Sequence, residues 1–260
     1  MSHATLPVLV FEGLIVFFIL WKILSARRGR ELFIRRIPGL SAIDEAVGRA
    51  TEMGRPIFYS PGIHGLDIVG LQSLSILSHI IKLAAKFRTR VMVALADAVL
   101  YTIAQDVARE AYAREGAPEL YEQDDIKFLS DQQFAYASAS IGLMSRERVA
   151  SCFYFGSFFA EALILAETGH HIGALQVAGT PQITQLPFFI AACDYCIIGD
   201  EYYAGSAYLS KEPTLLGSLV GQDLGKLVII AALVAGVIGV SVSPWVPAGS
   251  IVLEWFKVGR

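Results

Sequence analysis

Two long apolar stretches constrain this chain more than any other feature. The first, "LPVLVFEGLIVFFILWKIL", runs nineteen residues from Leu6 to Leu24 with one charge, Glu12, before Lys22 near its end. The second, Leu227 to Val242, has no charge at all. A helix needs about 20 mainly apolar residues to cross a bilayer. The first stretch meets that length, and the second approaches it once Leu224 and Trp245–Val246 are added. Only 17% of the chain is charged, 54% is hydrophobic, and the mean hydropathy is +0.53. Soluble domains carry about 25% charge, so the excess apolar content points to a lipid bilayer as the first partner.

Flanking charges orient both stretches. Arg27, Arg28, Arg30, Arg35 and Arg36 follow the first, and arginine-rich flanks stay on the cytoplasmic side. A secretory leader carries its positive charge before the apolar core, so the segment reads as a retained anchor. Lys226 precedes the second stretch, and Ser243-Pro244-Trp245 follows it. Both spans then agree on a plasma (inner) membrane protein with two spans, both termini outside and the middle cytoplasmic. Residues 244–260, ending in "IVLEWFKVGR", read as a tail along the outer interface. Glu12 has two readings, a group at the outer interface or in a packing contact, and an intramembrane carboxylate for ion or proton handling.

Between the spans, short apolar runs recur. They are "PIFYSPG" (56–62), "RVMVALAD" (90–97), "IKFLSD" (126–131), "SCFYFGS" (151–157), "ALQVAGT" (174–180) and "DYCIIGDE" (194–201). Near-continuous apolar runs of this length are strands buried on both faces of a parallel sheet. Helical stretches separate them, and a further helix opens the region, with Ser41 as its expected N-cap and Gly54 and Pro56 as its end. The predicted fold class is α/β, an open, doubly wound, mostly parallel sheet of about six strands (Rossmann-like), flanked by an N-terminal and a C-terminal transmembrane helix. The expected divisions are an anchor (1–26), a cytoplasmic α/β domain (27–212), a glycine-striped helix entering the second span (213–243) and the tail (244–260).

Ligands of such sheets bind beyond the carboxyl ends of the strands. Those ends supply the ligand-binding candidates His64, Asp97, Asp131, Glu161, Thr180 and Asp200, with Ser60, Asp67, Ser157, Gln182, Gln185 and Glu201 nearby. Each also has the ordinary reading of a helix cap or turn residue. No GxGxxG, Walker A or GxSxG motif is present. The acidic strand ends disfavour a phosphate, and a net charge of -3 gives no general attraction to nucleic acid. "HH" at 170–171 suits a helix C-terminus better than a metal. "CDYC" at 193–196 reads as two core cysteines pointing to opposite faces of a strand, so no catalytic residue, metal or cofactor is expected.

Gly217, Gly221 and Gly225 form one stripe on the helix that enters the second span. Each costs about 1 kcal/mol relative to Ala, and the use of such a stripe is close approach of another backbone. That backbone is the first span, the α/β domain, or the same helix of a neighbouring copy. Aromatics at "EYYAGSAYL" (201–209) look exposed, which suggests an interface.

The stretch "RRIPGLSAIDEAVGRATEMGRP", Arg35 to Pro56, following an N-terminal span, resembles the opening of an uncharacterised prokaryotic family of membrane-anchored proteins. The resemblance runs on through the α/β region to the second span. It implies a bacterial or archaeal origin and the anchored topology, and it brings no activity or catalytic residues. The expected function is a membrane-anchored homo-oligomeric scaffold assembling through its spans and α/β domains. The alternative is a membrane-tethered small-molecule sensor or enzyme using the carboxyl-end crevice. Expected partners are the bilayer, further copies of the chain and, as a third option, other subunits of a membrane complex.

Overall fold

A computed structural model describes residues 6–29, 37–210 and 212–242 of the chain. The expected tail at 244–260, the Ser243–Trp245 flank and Arg30, Arg35 and Arg36 lie outside the described residues. The chain divides into two compact units, Met1–Ile34 with Lys211–Arg260, and Arg35–Ser210.

The first unit is a helix pair, α1 (Leu6–Arg27) and α9 (Pro213–Val242). At about 1.5 Å per residue α9 is roughly 45 Å long, one continuous helix from the glycine stripe through the apolar run. Gly217 lies against Ile23, Gly221 against Ile19 and Gly225 against Ile15, so the helices run antiparallel. A Cβ on Gly217 would stand 2.5 Å from the Ile23 Cα, and one on Gly221 2.6 Å from the Ile19 Cα. The bare Cα hydrogens of these two glycines are what allow the backbones to meet. Arg27 donates to the Thr214 hydroxyl at 3.3 Å near the end of the pair. The outward faces are apolar, with Phe17 61% and Leu233 64% exposed.

The second unit is a six-stranded parallel sheet. Its elements are α2 (Pro38–Met53), β1 (Ile57–Gly62), α3 (Ile68–Lys86), β2 (Val91–Leu95), α4 (Ala98–Arg114), β3 (Ile126–Phe128) and α5 (Gln133–Glu147), with two short 3-10 turns before β3. Then follow β4 (Ser151–Ser157), α6 (Glu161–His171), β5 (Leu175–Thr180), α7 (Leu186–Ala192), β6 (Tyr195–Ile198) and α8 (Glu201–Ser210). The strand order is β3-β2-β1-β4-β5-β6, every neighbouring pair is parallel, and the order reverses direction between β1 and β4.

Burial follows position in the sheet. Every residue of β1, β2, β4 and β5 is buried. Edge strands β3 and β6 have three and four residues and are partly exposed, as short edges must be to avoid pairing with other chains. Alternate residues feed two cores. Tyr59, Val93, Phe155 and Val177 pack under α2, α3, α4 and α8, while Phe58, Met92, Tyr154 and Ala178 pack under α5, α6 and α7. Helices thus cover both faces, and the predicted α/β class holds.

Two local expectations change. Helix α2 begins at Pro38, whose ring suits the first helical position, so Ser41 lies inside the helix rather than capping it. Gly54 ends that helix at φ +60°, as expected. The aromatics of 201–209 are not an exposed patch, because Tyr202 is fully buried and donates to the Val69 carbonyl at 2.8 Å, and Tyr203 and Tyr208 pack against the same core. Three helices, Leu9–Arg27, Ile68–Lys86 and Pro213–Ile238, are long and apolar enough to cross a membrane. Half of the α3 stretch is buried within its own unit, against 6% and 11% for the other two.

Candidate functional site at the carboxyl ends of the strands

The reversal between β1 and β4 is where ligands enter sheets of this kind. Here the two strands stay joined beyond their ends. Ile63 N–H donates to the Ser157 carbonyl at 2.9 Å, and Ser157 N–H donates to His64 Nδ1 at 3.4 Å. Gly62 (φ +82°) and Gly156 permit this closure, because a Cβ on either would run into the carbonyl of Ser157 or Pro61.

His64 is held by this geometry. Its Nδ1 accepts a hydrogen bond, so in the neutral ring the proton sits on Nε2. Nε2 has no hydrogen-bond partner, and the Asp67 carboxylate stands 3.8 Å away. Burial lowers the His64 pKa below the ordinary value, and the charges of Asp67 and Asp97 offset part of that. The ring is therefore neutral near pH 7.

The helix N-termini around it are already filled. Asp67 accepts from Gly70 N–H at 2.7 Å and caps α3. Asp97 accepts from Leu100 N–H at 2.7 Å and caps α4. Glu161 is fully buried at the start of α6, accepting from Phe159 N–H at 2.9 Å and Gln133 Nε2 at 2.6 Å. A dinucleotide pyrophosphate binds at such N-termini through free N–H groups and the positive end of the dipole. In this protein the Asp67 and Asp97 carboxylates occupy two of these positions, and the Glu161 carboxylate lies in the first turn of α6 without capping it.

The remaining candidates do not converge. Thr180 is buried, and its hydroxyl accepts from Gln182 N–H at 3.2 Å, while Gln182 Oε1 accepts from Phe158 N–H at 3.1 Å. Asp131 and Asp200 are exposed, after the edge strands β3 and β6. The structure thus brings His64 together with Asp67 and Asp97, and ties Thr180 to the β4 end, but leaves Asp131 and Asp200 apart. Gln133 and Tyr136 were not foreseen. Tyr136, its pKa raised by burial, shares a 2.6 Å hydrogen bond with Ser60 and donates to the Ala94 carbonyl at 3.0 Å. Only their position in the first turn of α5 could have marked them.

The six strand-to-helix connections share another property. Each carries at least one large exposed apolar side chain, eight in all: Leu66, Ile68, Val99, Phe128, Phe134, Phe159, Ile183 and Ile198. Phe134 is 66% and Ile183 78% exposed. From residues 62–68, 95–99, 128–134, 157–161, 180–186 and 198–201, Lys and Arg are absent, whereas Asp67, Asp97, Asp131, Glu161, Asp200 and Glu201 are present. The opposite end of the sheet holds Arg55, Arg88, Arg90 and Arg148. Arg90 Nε lies 2.8 Å from Asp125 and its NH1 3.0 Å from Glu147, and Arg88 pairs with Glu119 at 2.7 Å.

The two other motifs resolve locally. His170 and His171 occupy the last turn of α6, ahead of Gly173 at φ +73°. Cys193 and Cys196 do not point to opposite faces, because Cys193 precedes β6 at the end of α7 and both pack against the same core. A hydrogen bond between the two thiols, with burial, pushes Cys193 up, and the same bond lowers Cys196.

The chain belongs to the family described as a domain of unknown function (DUF6754), whose match covers residues 1–249. This agrees with the resemblance read from Arg35 to Pro56. No curated protein and no solved structure matches the chain.

Proposed function

We propose that the protein is a membrane-anchored, self-associating scaffold. The observation that carries this reading is the face at the carboxyl ends of the strands. Where a doubly wound enzyme would hold open helix N-termini, this chain places carboxylate caps on α3 and α4, strands joined past their ends and eight exposed apolar side chains. Exposed apolar side chains gathered at one edge of a sheet are typical of protein contacts. Two spans, α1 and α9, anchor it, and their apolar outward faces suit lipid. Helix α3 matches a span in composition only, since its apolar face is used against the sheet. The arginines after α1 and Lys226 before the apolar part of α9 support a cytoplasmic α/β unit with both termini outside. The glycine stripe is engaged within the chain against α1, so self-association falls to the α/β unit.

Mass photometry of the full-length protein in lipid nanodiscs tests the reading. Species of several chains are expected. A single-chain mass across the accessible concentration range would overturn it. The sensor or enzyme reading is favoured by one observation, the orphaned Nε2 of His64 beside Asp67. It requires a thermal shift with a small molecule that His64→Asn removes.

A further inference from the structure

We infer that the carboxyl-end face of the α/β unit receives the arginine-rich segment, residues 28–36, of a second copy of the chain. The inference rests on the self-association proposed above and names its contact. The face combines eight exposed apolar side chains with carboxylates and has no Lys or Arg in any of its six connections. Its one histidine, His64, is neutral, with burial lowering its pKa. Such a surface fits an occupant that is both cationic and apolar.

The chain carries one segment of that chemistry. "RGRELFIRR", residues 28–36, has four arginines against the single Glu31, interleaved with Leu32, Phe33 and Ile34. The arginines at the opposite end of the sheet are poorer candidates, because Arg88 and Arg90 are already paired with Glu119, Asp125 and Glu147. An anionic lipid surface is excluded as the occupant by charge, since Asp67, Asp131 and Asp200 would face headgroups of their own sign. Arginine suits the contact, because its planar guanidinium forks onto carboxylates.

A contact between two different surfaces of one chain is heterologous. It propagates from copy to copy, closing into a ring or extending as a filament. The apolar part of the segment would cover Phe134, Phe159 and Ile183, while Arg28 and Arg36 at its two ends meet Asp131 and Asp200, which follow the two edge strands about 24 Å apart at about 4.8 Å per strand.

Charge exchange in trans is the test. The face variant carries Asp131→Arg with Asp200→Arg, Asp131 lying one residue before the N-cap of α5 and Asp200 one residue before the start of α8. The segment variant carries Arg28→Glu with Arg36→Glu, the two ends of the segment, leaving Arg27, Arg30 and Arg35 to hold the orientation of α1. Each full-length variant alone, in nanodiscs by mass photometry, should lose the high-mass species. Co-expression of the two should restore it, since the new glutamates then meet the new arginines. Ile183→Ser, which introduces no charge, should also reduce assembly. If either charge variant assembles like the wild type, or the mixture fails to recover, the contact is wrong even though the chain self-associates. If the wild type itself is a single chain, the proposed function fails instead.

Discussion

The glycine stripe gives a graded prediction. A Cβ at Gly221 would stand 2.6 Å from the Ile19 Cα, and one at Gly217 2.5 Å from the Ile23 Cα. Carbon atoms rest at about 3.5–4.0 Å, so either alanine is roughly 1 Å too close to a backbone that no rotamer change can move. The helices must separate, and overpacking of this kind costs about 1–3 kcal/mol. Replacing Gly by Ala within a helix returns about 1 kcal/mol. Gly221→Ala and Gly217→Ala should therefore weaken α1–α9 pairing by about 1 kcal/mol, the middle of the resulting range of about 0–2 kcal/mol, a factor of roughly 5. At Gly225 the added Cβ would meet only the Ile15 side chain at 3.4 Å. Gly225→Ala should be neutral or favourable by up to about 1 kcal/mol. The assay is an SDS titration of the full-length protein carrying a fluorophore pair at Leu20 and Leu227, exposed on α1 and α9, with the native cysteines replaced. Equal losses at Gly221 and Gly225, or none at Gly217 and Gly221, would refute the close-approach argument.

Gly156→Ala should destabilise the α/β unit by about 3 kcal/mol or more, because its Cβ would strike the Pro61 carbonyl. A thermal midpoint unchanged from wild type would contradict this. His64, whose folded pKa lies below its unfolded value of about 6.5, contributes stability that is full above that value and is lost as pH falls toward the folded pKa. His64→Asn, which keeps an acceptor for Ser157 N–H, should flatten the fall in urea midpoint between neutral pH and about pH 5, and an unaltered slope would show that other groups cause it. NAD, NADP and ATP should give no thermal shift, because Asp67 and Asp97 cap α3 and α4 and the Glu161 carboxylate sits in the first turn of α6. A nucleotide shift abolished by Asp97→Ala would reverse that conclusion.

The sheet was legible because its strands are buried on both faces. Runs such as "RVMVAL" and "SCFYFGS" have no polar alternation, and each ends in a turn residue that caps the next helix. Asp67 and Asp97 do so. Legibility failed where tertiary contact decides the outcome. Nothing local distinguishes Tyr202, buried over α3, from an exposed aromatic, and nothing in "CDYC" shows that Cys193 lies before the strand rather than in it. The apolar side chains at the strand ends were scattered along the sequence at Leu66, Ile68, Val99, Phe128, Phe134, Phe159, Ile183 and Ile198. They come to one end of the sheet only because its parallel strands bring all six connections there. The glycine stripe could be read as a contact, but its partner required the α1 backbone to be in place.

Everything proposed here depends on α1 and α9 crossing the bilayer with the α/β unit on the inner side. Labelling of intact cells with a membrane-impermeant maleimide measures that directly, using single cysteines in a cysteine-free background at Ser2 and at Glu110, a solvent-facing position on α4. Ser2→Cys should react in intact cells and Glu110→Cys only after lysis. Reaction at Glu110→Cys in intact cells, or protection at Ser2→Cys, would contradict the account.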